Sequence, residues 1–102
     1  MVNANVREGQ LLESTDDVEV SGLVHWRAPF TSGFKGRLPK RVVVSVSRVP
    51  PAGATLVACH PRDYEAVQRL VIDEDDWKSA KYNGYTLLIP IVDVGTLWRQ
   101  IS

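Results

Sequence analysis

Cys59 and His60 stand side by side, and His25 is the other histidine of the chain. A thiolate nucleophile needs an imidazole within hydrogen-bond reach and a third group to orient that imidazole. Adjacent residues on a strand point to opposite faces, so Cys59 and His60 do not meet if this segment is extended. His25 is then the remaining base for Cys59. A small Cys-dependent enzyme built on that pair is the third of three functional readings. Cys59 as a small apolar side chain ending a strand is preferred to it.

Other chemistry finds less support. Structural zinc takes four nitrogen or sulfur ligands, and Cys59, His25 and His60 are the most this chain can offer. Asp73-Glu74-Asp75-Asp76 lacks the alternate spacing, central glycine and closing glutamate of a calcium loop. It reads as a solvated turn or the acidic start of a helical turn. Gly33-Phe34-Lys35-Gly36 is too short for a phosphate loop, and no GxGxxG or GxxxxGK[ST] occurs. No nucleophile elbow is present. The expectation is a non-enzymatic protein with no cofactor and no metal.

Charge is more telling. Twelve Lys+Arg balance twelve Asp+Glu. Yet from Val20 to Arg62 the charges are Arg27, Lys35, Arg37, Lys40, Arg41, Arg48 and Arg62, all positive, and every acid lies outside that stretch. Trp26, Phe30 and Phe34 interleave with the cations. The first expectation is an interaction module that binds a protein or peptide through an aromatic and basic loop at 27–41. Its binding residues are Trp26, Arg27, Phe30, Phe34, Lys35, Arg37, Lys40 and Arg41. A homodimer through sheet edges belongs to the same class. The alternative is single-stranded nucleic acid on the basic segment 27–48, with phosphates on cations and bases on rings. An isoelectric point near 6.7 argues against a dedicated nucleic-acid binder, which sits above about 9. If the acidic flanks fold back onto the basic middle, both readings lose their surface.

These residues need elements to position them. Val18 to Trp26 alternates, with Val18, Val20, Val24 and Trp26 on one face, and predicts a strand. Gln10-Leu11-Leu12 predicts a short strand before the turn Ser14-Thr15-Asp16-Asp17. Residues 27–41, punctuated by Pro29, Gly33, Gly36 and Pro39, predict a long irregular loop. Val42 to Ser47 and Thr55 to Cys59 predict two paired strands around the turn Pro50-Pro51-Ala52-Gly53. Pro61 suits a first helical position and starts a helix at 61–70. Asn83-Gly84 signals a type I′ hairpin with Tyr82 and Tyr85 across it. A strand follows from Tyr85, with Pro90 at its end or on an edge. Val94, Leu97, Trp98 and Ile101 fall on a helical stripe, with a last strand at 95–99 as the alternative. Trp26 and Trp98 fit the core, and Trp77 is expected on the surface.

The fold class expected is mainly β (β-rich α+β), a small antiparallel, partly open barrel with one or two short helices. Strand spacing resembles the SH3-like layout, a resemblance that implies a fold and assigns no site residue. The 102 residues form one domain, with residues 1–5 as a loose tail. A single cysteine, no leader-like start, no lipidation signal at the end and no apolar run of about 20 residues imply a cytoplasmic protein off the membrane.

Overall fold

A computed structural model describes residues 6–27 and 30–101. The tail expected at residues 1–5 lies outside them. The chain is mainly β: seven antiparallel strands in one sheet, with two short helices. The strands are β1 (Leu11–Ser14), β2 (Val18–Trp26), β3 (Thr31–Leu38), β4 (Val43–Val46), β5 (Leu56–Pro61), β6 (Tyr82–Pro90) and β7 (Trp98–Gln100). Helices α1 (Tyr64–Val71) and α2 (Glu74–Trp77) lie between β5 and β6. Their order across the sheet is β3-β2-β6-β5-β4-β1-β7. The sheet does not close, so β3 and β7 are its edges.

Alternation sorts each strand between two faces. The inner face carries Val18, Val20 and Val24 of β2, Tyr85, Leu87 and Ile89 of β6, and Val57 and Cys59 of β5, all buried. Leu12, Val44, Val46 and Trp98 complete that face towards β7. Helix α1 brings Val67 and Val71 into the same core. Burying a side chain of this size contributes roughly 1.5–3 kcal/mol each.

The segment expected as an irregular loop at 27–41 is mostly strand β3, paired with β2 from His25↔Thr31 to Val18↔Leu38. Neither of its glycines breaks the strand, and Gly36 is a packing site. A Cβ on Gly36 would lie 2.6 Å from Val71 Cγ1, so the bare backbone is what lets α1 settle on β3. The ring of Phe34 lies over Gly22, directly opposite it in register, and fills the space a side chain would take there.

Four further expectations are corrected. The helix starts after Asp63, whose carboxylate accepts from Ala66 N at 3.2 Å, while Pro61 ends β5. Asn83-Gly84 is not a hairpin turn: β6 runs through it as a bulge opposite His25 and Trp26. Gly84, at φ +129°, takes the strained position, and the Asn83 amide donates to the Trp26 carbonyl at 3.2 Å. The terminal helix is replaced by strand β7, because Gly95 at φ +93° turns the chain and Trp98 then pairs with Ser14. Trp77 is half-buried against the core, with Lys78 Nζ 5.5 Å from its ring centre. Pro90 ends β6, as expected.

Candidate functional site

The β2–β3 hairpin has a fixed hydrogen-bond phase. Trp26 N–H donates to the Phe30 carbonyl at 3.0 Å. Ladder bonds in an antiparallel pair recur at every second residue. Ser32, Phe34, Gly36 and Leu38 therefore bond to β2. Thr31, Gly33, Lys35 and Arg37 turn their N–H and C=O groups outward from the sheet. Among the described residues these outward groups have no backbone partner. The Lys35 and Arg37 side chains are exposed and share the outer face with Ser21 and Glu19, their neighbours in register.

The other expected site residues are distributed around this strand. Trp26 is half-buried, donates Nε1–H to Ser32 Oγ at 2.9 Å and meets Tyr82 edge-on at 6.3 Å. Phe34 is on the inner face, edge-on to Tyr85 at 6.3 Å. Phe30 is 68% exposed at the hairpin tip, beside Arg27. Lys40 and Arg41 occupy the turn after β3. Arg41 has φ 69°, the left-handed region that costs a side-chain-bearing residue about 1 kcal/mol or more. Buried Ser14 holds it there. The Ser14 carbonyl accepts from Arg41 N at 2.8 Å. Its hydroxyl donates to the Pro39 carbonyl at 2.8 Å and accepts from Val42 N at 2.9 Å.

A groove of about 740 Å³ opens between this turn and α1. Lys40, Arg41 and Arg62 stand on its rim, and Val42, Val67 and Leu70 on its apolar floor. Asp63 and Glu65 also border it. The seven cations thus do not form one patch. Lys35, Arg37, Lys40 and Arg41 follow β3 and its turn, Arg62 joins them at the groove, and Arg27 and Arg48 stand apart. Among the described residues the ion pairs are Lys78–Glu74 and Arg99–Glu13 and involve none of the seven, yet acids from both flanks stand near some of them: Glu19 opposite Arg37, Glu13 beside Lys40 and Arg41, and Asp63 and Glu65 on the groove.

The cysteine and histidines separate by face. Cys59 is fully buried, and desolvation pushes its thiol up from 9.0 to about 12. His25 lies on the opposite side of the sheet, so the pairing considered from sequence does not form. Two inner-face tyrosines behave like the thiol: burial first, then neighbouring Tyr64, raises Tyr85 and Tyr82 above the ordinary phenol value. His25 instead meets His60 on the outer face. Thr86 Oγ1 lies 2.7 Å from His25 Nε2 and 3.4 Å from His60 Nε2. One hydroxyl proton can serve only one imidazole, so the other imidazole donates to the oxygen. Alternation separates His60 from Cys59 but leaves His25 as a partner for either. The order β2-β6-β5 that brings the two histidines together was not readable from the sequence.

Among the described residues, no group of three or more His, Cys, Asp or Glu side chains could hold a metal ion, and no helix is long and apolar enough to cross a membrane. No family model, curated protein or solved structure matches this chain.

Proposed function

We propose that this protein is an interaction module that receives an extended, acidic peptide segment of a partner protein as an added strand on β3. One observation carries it: an eight-residue edge strand leaves four residues with outward backbone groups unpaired, and two of the four bear exposed cations. Main-chain hydrogen bonds supply affinity in strand addition, and side chains at alternate positions supply choice. Lys35 and Arg37 favour carboxylates at alternate positions of the incoming strand. Farther along the chain, Lys40, Arg41 and Arg62 extend the same preference to the groove. Edge lysines also discourage pairing between copies of one chain, because like charges would face each other.

Binding of single-stranded nucleic acid by this segment calls for rings beside cations. On β3 the two alternate across the strand, Phe34 inward and Lys35 and Arg37 outward, which favours the peptide.

The test is a fluorescence titration with an acidic peptide alternating glutamate and valine. Saturable binding that weakens about tenfold in a Lys35→Glu/Arg37→Glu variant is expected, since two exposed charge contacts contribute roughly 1–2 kcal/mol together. A copy of the peptide N-methylated at alternate amides should not bind. Equal binding of the methylated copy, or tighter binding of oligothymidylate than of the peptide, would overturn the proposal.

A further inference from the structure

The outer face holds a second concavity, of about 330 Å³, on the strands that carry the two histidines. Leu23, Leu56 and Leu88 form its walls, with Leu56 40% exposed. His25, Thr86 and Arg48 are its polar lining. Arg48 reaches it from the connection between β4 and β5, where Pro50 and Pro51 also border the space. Among the described residues no carboxylate lines it. Arg48 has no ion-pair partner among the described residues.

The composition of the pocket selects its ligand. Two imidazoles converging on one hydroxyl oxygen suggest a metal, but only His25 of the two lines the pocket, and the Arg48 guanidinium shares that lining with no acid among the described residues, which opposes a cation. A guanidinium, a hydroxyl and an imidazole on the lining of an apolar hollow suit a carboxylate head on an apolar body. Pockets for small ligands have this character, mostly apolar with a few converging polar groups, and begin near 300 Å³. Guanidinium matches carboxylate in a planar, two-pronged geometry that an ammonium cannot reproduce.

From the charge complementarity at Arg48 and the three leucine walls, we infer that this pocket binds a small amphipathic monocarboxylate, with the carboxylate on Arg48 and the hydrocarbon on Leu23, Leu56 and Leu88. The site lies on β2, β5 and β6 and does not use the open edge of β3. Its occupancy is therefore independent of the peptide proposal.

Octanoate is the probe, followed by two-dimensional NMR of the full chain. Saturable shifts confined to residues 23–25, 48–58 and 86–88 are expected. Arg48→Gln, an exposed loop change that leaves the core intact, should weaken octanoate at least tenfold. Octanol should bind the wild type at least tenfold more weakly than octanoate. A Leu88→Asn variant should lose octanoate while keeping its fold by circular dichroism. Failure of octanoate to saturate at millimolar concentration would overturn the inference, as would octanol binding as well as octanoate. Retained affinity in Arg48→Gln would do the same. Peptide binding by Lys35 and Arg37 is read separately, and none of these results moves it.

Discussion

The two faces of the central strands are built from alternate residues of the same segments, yet they behave as different materials. On β5 and β6, Val57, Cys59, Leu87 and Ile89 are completely buried. One residue away, His60 is exposed, and Ala58, Thr86 and Leu88 are only half-buried. The inner face buries a thiol and raises its pKa by desolvation. The outer face leaves the adjacent histidine within reach of a hydroxyl and a second imidazole. A shift of register by one residue would exchange the two sets, which is why the buried face fixes the register so firmly.

The largest expected contrast compares neighbours on β6. Leu87→Ala should cost about 3 kcal/mol in urea unfolding, from lost transfer and the cavity left behind. Leu88→Ala should cost about 1 kcal/mol or less. Equal losses would erase the distinction between the faces.

The next contrast compares two glycines of the β2–β3 hairpin. A Cβ on Gly22 would meet the Thr86 carbonyl and lie 2.5 Å from Phe34 Cζ, whereas one on Gly33 has nothing nearer than 3.9 Å. Gly22→Ala should therefore cost about 2 kcal/mol in thermal or urea unfolding, and Gly33→Ala should be within about 0.5 kcal/mol of wild type.

Alkaline pH sharpens the difference at Cys59. Its thiol ionises near 9.0 when unfolded and near 12 in the fold. Between those values the unfolded chain has lost a proton that the fold retains, so stability falls as pH rises. The contribution is fully present below about pH 9 and is lost as pH climbs towards 12. From pH 8 to 10 the loss from this group is about 1 kcal/mol. Cys59→Val should remove that part of the pH dependence, and His60→Ala should leave it unchanged. The raised phenols of Tyr85 and Tyr82 act with the same sign at higher pH, so the difference between variants isolates the thiol.

The smallest effect is at the turn after β3. Arg41→Gly should stabilise the protein by about 0.5 kcal/mol by relieving the left-handed backbone. Peptide affinity should fall in the same variant. A stabilised variant with unchanged affinity would remove Arg41 from the binding surface while leaving β3 in place.

Period-two alternation made β2 and β4 legible, because one face of each is buried and rich in valine, and an apolar run bounded by a turn made β5 legible. The acidic start of α2 was one of two readings of residues 73–76, and it holds for a local reason: Asp73 accepts from Asp75 N at 2.9 Å as a cap. Strand β3 was hidden by its glycines, which read as breaks, and the role of Gly36 depends on Val71, far away in sequence. The Asn83-Gly84 bulge was hidden because the same dipeptide serves a tight turn or a bulge, and the paired strand decides. Strand β7 was legible only as the alternative to a helical stripe that Gly95 interrupts. Of the site, the cations were readable and their separation from the rings was not, since that required knowing that residues 31–38 are extended.

Backbone amide hydrogen exchange on the hairpin, read by NMR with and without the acidic peptide, tests the open edge most directly. In the free protein, Ser32, Phe34, Gly36 and Leu38 should exchange slowly and Thr31, Gly33, Lys35 and Arg37 quickly. Peptide should slow the second set alone. Uniform protection in the free protein, or no slowing of those four amides at saturating peptide, would contradict an edge that receives a strand.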